Sequence, residues 1–128
     1  MKRVLVVDDE PELTEVVREY LQDRYEVTVV HNGSAALEAA RVHRPDVVFC
    51  DINMPGPSGI EVLKALQRAD PTIPVVMVTV DTEISTVQAC LRAGAFAYVP
   101  KPFDLKYMEH MAALATEHRR GAADPTPA

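Results

Sequence analysis

The chain has 128 residues, 48% of them hydrophobic, which is enough to form one compact domain around its own core. The formal net charge of −6 argues against a nucleic-acid-binding surface, and no apolar run approaches the roughly 18 residues that a membrane-spanning helix requires. The first predicted strand begins at about Arg3, which leaves no room for a signal peptide. We therefore expect a cytoplasmic domain that binds neither nucleic acid nor membrane directly.

Five apolar runs predict strands, and helical patterns separate them. In chain order, the predicted strands cover residues 3–7, 25–30, 47–50, 75–79 and 96–99. Four of the predicted helices cover 11–21, 35–42, 83–92 and 104–119. The remaining one, third in chain order, begins at the capping box of Ser58 and Glu61 and ends before Asp70. The run at 25–30 alternates most clearly between apolar and polar residues, which predicts an edge strand.

Apolar residues at helical spacing predict which side of each helix is buried. In the first helix the expected buried residues are Leu13, Val16, Val17, Tyr20 and Leu21. In the fourth helix they are Ile84, Val87 and Leu91. The two cysteines, Cys50 and Cys90, are expected to be small buried residues in a reducing compartment, without a disulfide bond.

Strands that alternate with helices predict a parallel sheet with helices on both faces, because each crossover must return the chain to the same end of the sheet. The predicted fold class is α/β, with a single doubly wound domain over residues 1–120. Residues 121–128 are small and include proline, which predicts a flexible tail or the start of a linker.

The carboxyl ends of parallel strands share one edge of the sheet, and polar residues follow four of the five predicted strands there. These residues are Asp8, Asp9, Asp51, Thr79 and Lys101. Taken alone, acids before the first helix also suit a helix amino terminus. Three converging carboxylates repel one another, however, and a hard divalent cation such as Mg²⁺ (or Mn²⁺) relieves that repulsion. A carboxylate beside a metal and a lysine is equipped to accept a phosphoryl group.

Four motifs resemble those of receiver domains in the two-component response regulator family. They are Val-Asp-Asp-Glu at 7–10, Asp-x-x-Met-Pro-x-x-x-Gly at 51–59, Thr79, and Tyr-Val-Pro-Lys-Pro-Phe at 98–103. The motifs occur in order at the predicted strand ends, and the resemblance covers about residues 3 to 118. It implies a flavodoxin-like (βα)5 domain whose five-stranded parallel sheet has the order 2-1-3-4-5.

The resemblance also implies how the site works. Asp51 corresponds to the phosphoacceptor, while Thr79 and Lys101 correspond to residues that contact the phosphoryl oxygens. Tyr98 corresponds to an aromatic residue whose ring swings inward when Thr79 moves toward the phosphate. The peptide bond before Pro102 corresponds to one that is cis in the family.

A metal site is implied as well. Asp8 and Asp9 correspond to the acidic pair that holds magnesium, with Asp9 as the more direct ligand, and Asp51 completes the acidic set. Asn53 corresponds to the position that gives its backbone carbonyl to the metal.

Val80 and Asp81, the two residues that follow Thr79, are expected to modulate how long Asp51 stays phosphorylated. The family usually has alanine or glycine where this chain has Val80, and the branched side chain is expected to narrow access to Asp51 and slow phosphoryl transfer and hydrolysis. Asp81 is close enough in sequence to orient an attacking water, which would oppose the effect of Val80.

The predicted function is a phosphorylation-controlled signalling switch that is catalytic only on itself. Its expected partners are a sensor histidine kinase or a histidine phosphotransfer protein, and an output domain or partner protein that reads the surface of helix 4, strand 5 and helix 5. Phosphorylation-dependent homodimerisation is a further expectation. A phosphatase of the haloacid dehalogenase type is disfavoured because Asn53 replaces its second aspartate. A flavodoxin-like cofactor binder is disfavoured because the acids at 8–10 would repel a phosphate.

Overall fold

The computed structural model describes residues 1–123, with side chains described through His118. Within that range, strands and helices alternate along the chain. The strands are β1 (Lys2–Val7), β2 (Tyr25–Val30), β3 (Val47–Cys50), β4 (Val75–Thr79) and β5 (Ala97–Pro100). The helices are α1 (Pro11–Leu21), α2 (Gly33–His43), α3 (Gly59–Ala69), α4 (Ile84–Arg92) and α5 (Leu105–Ala123).

The five strands form one parallel sheet of order β2-β1-β3-β4-β5, which confirms the predicted fold class and strand order. The central strand β3 is buried along its whole length, whereas β2 lies at an edge and is mostly half-buried. A four-residue apolar run can be a complete strand here because helices cover both faces of the sheet.

Alternate residues of each strand face two separate apolar layers. In β3, Val48 and Cys50 pack with α2, α3 and α4, while Val47 and Phe49 pack with α1 and α5. Cys50 and Cys90 are both buried and unpaired, as the sequence predicts. The two layers fix the height and direction of all the strands, and therefore the position of the residues at their carboxyl ends.

In two helices, some of the residues that the apolar spacing predicts to be buried do not face the sheet. In α1, Thr14 is buried in place of Val16, whose exposed fraction is 48%. In α4, Cys90 is buried, and the exposed fractions of Ile84 and Leu91 are 73% and 50%. Ile84 and Leu91 lie about 100–120° around the helix axis from Cys90, so a helix that turns Cys90 inward leaves both on its open side.

Helix boundaries follow the capping residues. Helix α2 begins at Gly33, earlier than predicted, because Asn32 acts as its N-cap and accepts a hydrogen bond of 2.9 Å from the backbone N–H of Ala35. Ser58 caps α3 through the N–H of Glu61 at 3.3 Å. Helix α5 is described to Ala123, and the rest of the predicted tail, 124–128, lies outside the described residues. No described helix combines the length and apolar character needed to cross a membrane.

Candidate functional site

The predicted site residues lie at the carboxyl edge of the sheet, and sheet-like hydrogen bonds hold their backbones there. The N–H of Asp8 donates to Val30 O at 3.1 Å, and the N–H of Asp51 donates to Val7 O at 2.9 Å. The N–H of Lys101 donates to Thr79 O at 2.9 Å. The hydrogen-bond ladders thus extend to the site residues themselves, which gives those residues the rigidity of the sheet.

The ammonium group of Lys101 lies among three carboxylates. Its Nζ is 2.7 Å from Asp8 Oδ2, 3.0 Å from Glu10 Oε1 and 3.0 Å from Asp51 Oδ2. The side chain is only 8% exposed. Burial alone would lower the pKa of Lys101, but its hydrogen bonds to these carboxylates outweigh burial and raise that pKa. The ammonium therefore remains charged and ready to contact an anion.

Two of those carboxylates belong to buried residues. Asp8 and Asp51 are 4% and 5% exposed. Burial raises the pKa of Asp8 most strongly, and the nearby charge of Asp51 raises it further, against the lowering effects of Lys101 and of the N–H of Glu10. Two buried carboxylates that share one lysine retain excess negative charge, which is the electrostatic condition for binding a cation.

The same residues could hold a metal ion. One carboxylate oxygen from each of Asp8, Asp9, Glu10 and Asp51 lies within 4.8 Å of the others. An all-oxygen donor set of this kind suits Mg²⁺, which takes a few carboxylates and keeps several waters. Glu10 is a member of this group that the sequence interpretation left without a role at the site. Its signal was present in the run of acids at 8–10.

The hydroxyl of Thr79 is hydrogen-bonded both to Asn53, which lies near Asp51, and to Asp81, which precedes α4. Thr79 is fully buried, and its Oγ1 accepts from Asn53 Nδ2 at 3.3 Å and from the N–H of Asp81 at 3.4 Å. Asn53 also donates its backbone N–H to Asp51 Oδ1 at 3.2 Å. Asn53 thus links Asp51, through its backbone N–H, to Thr79, through its side-chain amide, and its sequence position alone did not indicate the contact with Thr79.

Tyr98 is half-buried on β5 and packs against the layer formed with α2, α3 and α4. Its hydroxyl is buried and has no hydrogen-bond partner among the described residues. Burial, together with the charge of Asp81, raises the pKa of Tyr98 to about 12. The ring therefore packs on the side of β5 that faces α2, α3 and α4. The peptide bond between Lys101 and Pro102, which follows this strand, is cis.

The two predicted modulators lie in different environments. Val80 is 66% exposed, directly after β4. Both carboxylate oxygens of Asp81 accept hydrogen bonds from the start of α4: Oδ1 from the N–H of Glu83 at 3.0 Å and Oδ2 from the hydroxyl of Thr86 at 3.1 Å. The sequence indicated that Asp81 is close to the site, but not that its carboxylate is bound to a helix.

The chain resembles one family over most of its length. The sequence model of the response regulator receiver domain matches residues 4–113. The DNA-binding response regulator MtrA of Mycolicibacterium smegmatis is 41% identical over 125 residues, which are 97% of this chain and 54% of that protein. The transcriptional regulatory protein KdpE of Mycobacterium tuberculosis is 42% identical over 124 residues, 96% of this chain and 54% of that protein. The chain thus spans about half the length of these curated relatives.

Solved structures agree with the sheet topology. A CheY-like response regulator receiver domain protein from Methanospirillum hungatei JF-1 superimposes with a TM-score of 0.91, covering 95% of this chain and 98% of that one. It is 24% identical, so the likeness concerns the fold alone. The BeF3-activated DrrB receiver domain superimposes with a TM-score of 0.85 at 27% identity, covering 91% of this chain and 98% of that one.

Proposed function

The chain belongs to the response regulator receiver domain family, and from this membership we propose that Asp51 accepts a phosphoryl group from a histidine kinase or a histidine phosphotransfer protein. The observation that carries the proposal is the position of Asp51. It is a buried carboxylate at the carboxyl end of the central strand, 3.0 Å from a lysine and beside a second buried acid, Asp8. The lysine supplies positive charge to a transferring phosphoryl group, and the second acid supplies a ligand for a metal ion that would do the same.

The residues around Asp51 have separate parts in the transfer. An oxygen of Asp51 bonds to phosphorus while the phosphorus–nitrogen bond to the donor imidazole breaks, and the departing nitrogen keeps the electron pair. Lys101 carries three N–H donors and turns one of them toward the phosphoryl oxygens. Thr79 already accepts two hydrogen bonds, so its own hydroxyl hydrogen is available to the phosphoryl group.

A magnesium ion fits the acidic group at this edge of the sheet. Asp8, Asp9 and Asp51 would hold it, with the backbone carbonyl of Asn53 as a further ligand and Glu10 close by. When bound, it neutralises negative charge that would otherwise repel the incoming phosphoryl group. Asp8 and Asp51 are buried and directly follow β1 and β3, so they would supply ligands from well-anchored backbone positions.

Phosphorylation then acts as a switch. The phosphoryl group adds about −1.5 to −2 charge at neutral pH, and Thr79 and Lys101 follow that charge. A shift of the two states from 1:99 to 99:1 needs about 5.5 kcal/mol of differential stabilisation. Charge-assisted hydrogen bonds contribute about 1.5–3 kcal/mol each, so two or three of them supply that energy. Tyr98, on the neighbouring strand β5, would change its position in response.

The output surface is formed by α4, β5 and α5. Ile84 and Leu91 are large apolar residues on the open side of α4, and Tyr107 on α5 is 47% exposed. Exposed apolar groups of this kind favour binding to another protein surface. This surface therefore regulates an output domain or a partner protein, and it is where a phosphorylation-dependent homodimer would form.

The domain turns over no separate substrate, because its reactions are its own phosphorylation and the hydrolysis of its own acyl phosphate.

Its location is the cytoplasm, where two buried free cysteines remain reduced.

The test is phosphotransfer to Asp51. The chain is incubated with Mg²⁺ and acetyl phosphate, and intact mass spectrometry follows the addition of one phosphoryl group. We expect labelling of the parent protein, no labelling of Asp51→Asn, and loss of labelling when a chelator removes the metal. Asp23→Asn is the matched control, because Asp23 is an exposed aspartate outside the site. Labelling of Asp51→Asn at the parent level would overturn the proposal.

A further inference from the structure

The amino terminus of α4 is held by a residue that lies outside the helix. Glu83 occupies the N-cap position, but its side chain makes no capping hydrogen bond. Asp81 takes over this role, with Oδ1 3.0 Å from the N–H of Glu83 and Oδ2 3.1 Å from the hydroxyl of Thr86. A carboxylate at this position also interacts favourably with the positive end of the helix dipole.

The first turn of α4 has little other attachment to the domain. Cys90 is the one buried residue among the nine residues of this helix, and it lies in the last turn. Ile84 and Ser85 are exposed, and Thr86 and Val87 are half-buried. With no fully buried apolar side chain in the first turn, the hydrogen bonds to Asp81 are its main specific connection to the rest of the fold.

The other end of this connection is the switch threonine. The backbone N–H of Asp81 lies 3.4 Å from Thr79 Oγ1, and one residue, Val80, separates the two along the chain. The hydroxyl of Thr79 can turn toward a phosphoryl group on Asp51 while its oxygen keeps the hydrogen bond from the N–H of Asp81, so the backbone of Asp81 follows that oxygen. The carboxylate of the same residue, which holds the start of α4, then moves with the backbone.

We propose that Asp81 and Thr86 form a clasp that transmits the movement of Thr79 to α4. The inference rests on the proposed function for the movement of Thr79, and it assigns to Asp81 a positioning role instead of the orientation of an attacking water. Thr86 is the second member of the clasp, and its hydroxyl determines whether the first turn of α4 follows the loop. The exposed Ile84 in the same turn carries the change to the output surface.

The clasp is tested by hydrogen exchange of the α4 amides, measured by NMR on the full chain with and without Mg²⁺ and beryllofluoride. Thr86→Val removes the hydroxyl donor with little change in shape, and Thr86→Ser restores it. Ser85→Ala is the matched control, because Ser85 is exposed in the same turn. Amide shifts of Asp51 and Lys101 report independently whether beryllofluoride has bound.

In the unliganded protein, we expect the hydrogen-bonded amides at the start of α4, those of Glu83 and Val87, to exchange about 3–10-fold faster in Thr86→Val than in the parent, the effect of one lost hydrogen bond. Beryllofluoride should change α4 exchange in the parent, in Thr86→Ser and in Ser85→Ala. In Thr86→Val it should shift the amides of Asp51 and Lys101 but leave α4 exchange largely unaltered. A Thr86→Val protein whose α4 responds to beryllofluoride as the parent does would overturn the clasp.

Further outcomes separate the clasp from the proposed function. If the parent failed to bind beryllofluoride at Asp51, the proposed function would fail, while the exchange of unliganded Thr86→Val would still test the clasp. The double variant Asp81→Ala/Thr86→Val should exchange its α4 amides no faster than Asp81→Ala alone, because both changes break the same hydrogen bond. Additive effects would show that Thr86 acts independently of Asp81, which would contradict the clasp.

Discussion

The backbone of Gly59 lies directly against the carbonyl oxygen of Asp51. A Cβ atom on Gly59 would come within 2.0 Å of that oxygen and 2.6 Å of the Cα of Ile52. The N–H of Gly59 donates to Ile52 O at 2.8 Å, so the first turn of α3 is fixed to the chain that carries Asp51. Because the obstructing atoms belong to the backbone, no side chain can move aside to make room for even a methyl group.

We therefore predict that Gly59→Ala destabilises the domain by about 3 kcal/mol, the upper end of the usual cost of overpacking, and lowers phosphorylation by displacing Asp51. Urea unfolding and acetyl phosphate labelling measure the two effects. Gly56→Ala is the comparison, because a Cβ on Gly56 meets no atom but must adopt φ +77°. We expect it to cost about 1–2 kcal/mol from backbone strain alone and to retain labelling. Equal labelling of both variants would contradict the displacement of Asp51.

A second prediction concerns Lys101, which supplies positive charge to Asp8 and Asp51. Lys101→Met leaves the buried carboxylates without their cation, and we expect a loss of about 3 kcal/mol, the lower end for breaking a buried ion pair. Magnesium should compensate, so thermal unfolding in a chelator and in Mg²⁺ should show a larger metal-induced rise in Tm for Lys101→Met than for the parent. The exposed Lys64→Met should respond as the parent does. An equal metal-induced rise in Tm in Lys101→Met and in the parent would refute the prediction that magnesium compensates for the lost charge of Lys101.

A third prediction follows from the buried hydroxyl of Tyr98, whose pKa is raised from 10.0 to about 12. The folded state holds the hydroxyl proton of Tyr98 more tightly than the unfolded state does. The contribution of this difference to the free energy of unfolding is fully present below pH 10 and is lost as the pH rises through 12. The parent should lose stability relative to Tyr98→Phe over this interval, by at most about 1.4 kcal/mol per pH unit. Urea unfolding of both proteins across that pH range measures the difference, and parallel stability curves would argue against it.

At neutral pH the same substitution should cost little. The hydroxyl of Tyr98 is buried without a hydrogen-bond partner among the described residues, so removing it relieves a desolvation penalty. Tyr98→Phe should be at least as stable as the parent near pH 7, measured by the same urea unfolding. A clear loss of stability there would mean that the hydroxyl makes a favourable interaction.

A fourth prediction concerns Val80, whose side chain is 66% exposed directly after Thr79. The substitution Val80→Ala removes two methyl groups directly after Thr79. On the expectation that these groups narrow access to Asp51, uptake and loss of the phosphoryl group should both be faster, with stability changed by less than about 0.5 kcal/mol. Time-resolved labelling with acetyl phosphate, followed by removal of the donor, gives both rates. Rates no faster than those of the parent would show that Val80 does not limit access.

Much of the fold and of the site follows from local sequence. Apolar runs such as Val47–Cys50 define buried strands, and the alternation of strands with helices requires a parallel sheet. Once the sheet is parallel, residues at the strand ends meet at one edge, however far apart they lie in the chain. This is why the sequence alone predicts that Asp8, Asp51 and Lys101 lie together.

The rotation of the helices was not determined in this way. Val16 and Ile84 fit an apolar stripe in the sequence, yet both lie on the open side of their helices. Amphipathic spacing defines a broad face, and the surface on which a helix packs selects the part of that face that is buried. For α4 the buried part is the side that carries Cys90, which the sequence predicts to be buried, and not the side that carries Ile84 and Leu91.

The side-chain hydrogen bonds of the site were decided by the tertiary structure alone. Side-chain hydrogen bonds join Lys101 to Glu10, Asn53 to Thr79, and Thr86 to Asp81. Sequence defines which residues stand at the edge of the sheet, because the direction of the strands determines that edge. It does not define which donor meets which acceptor, because hydrogen bonds depend on tenths of an ångström and on angles that only the packed backbone sets.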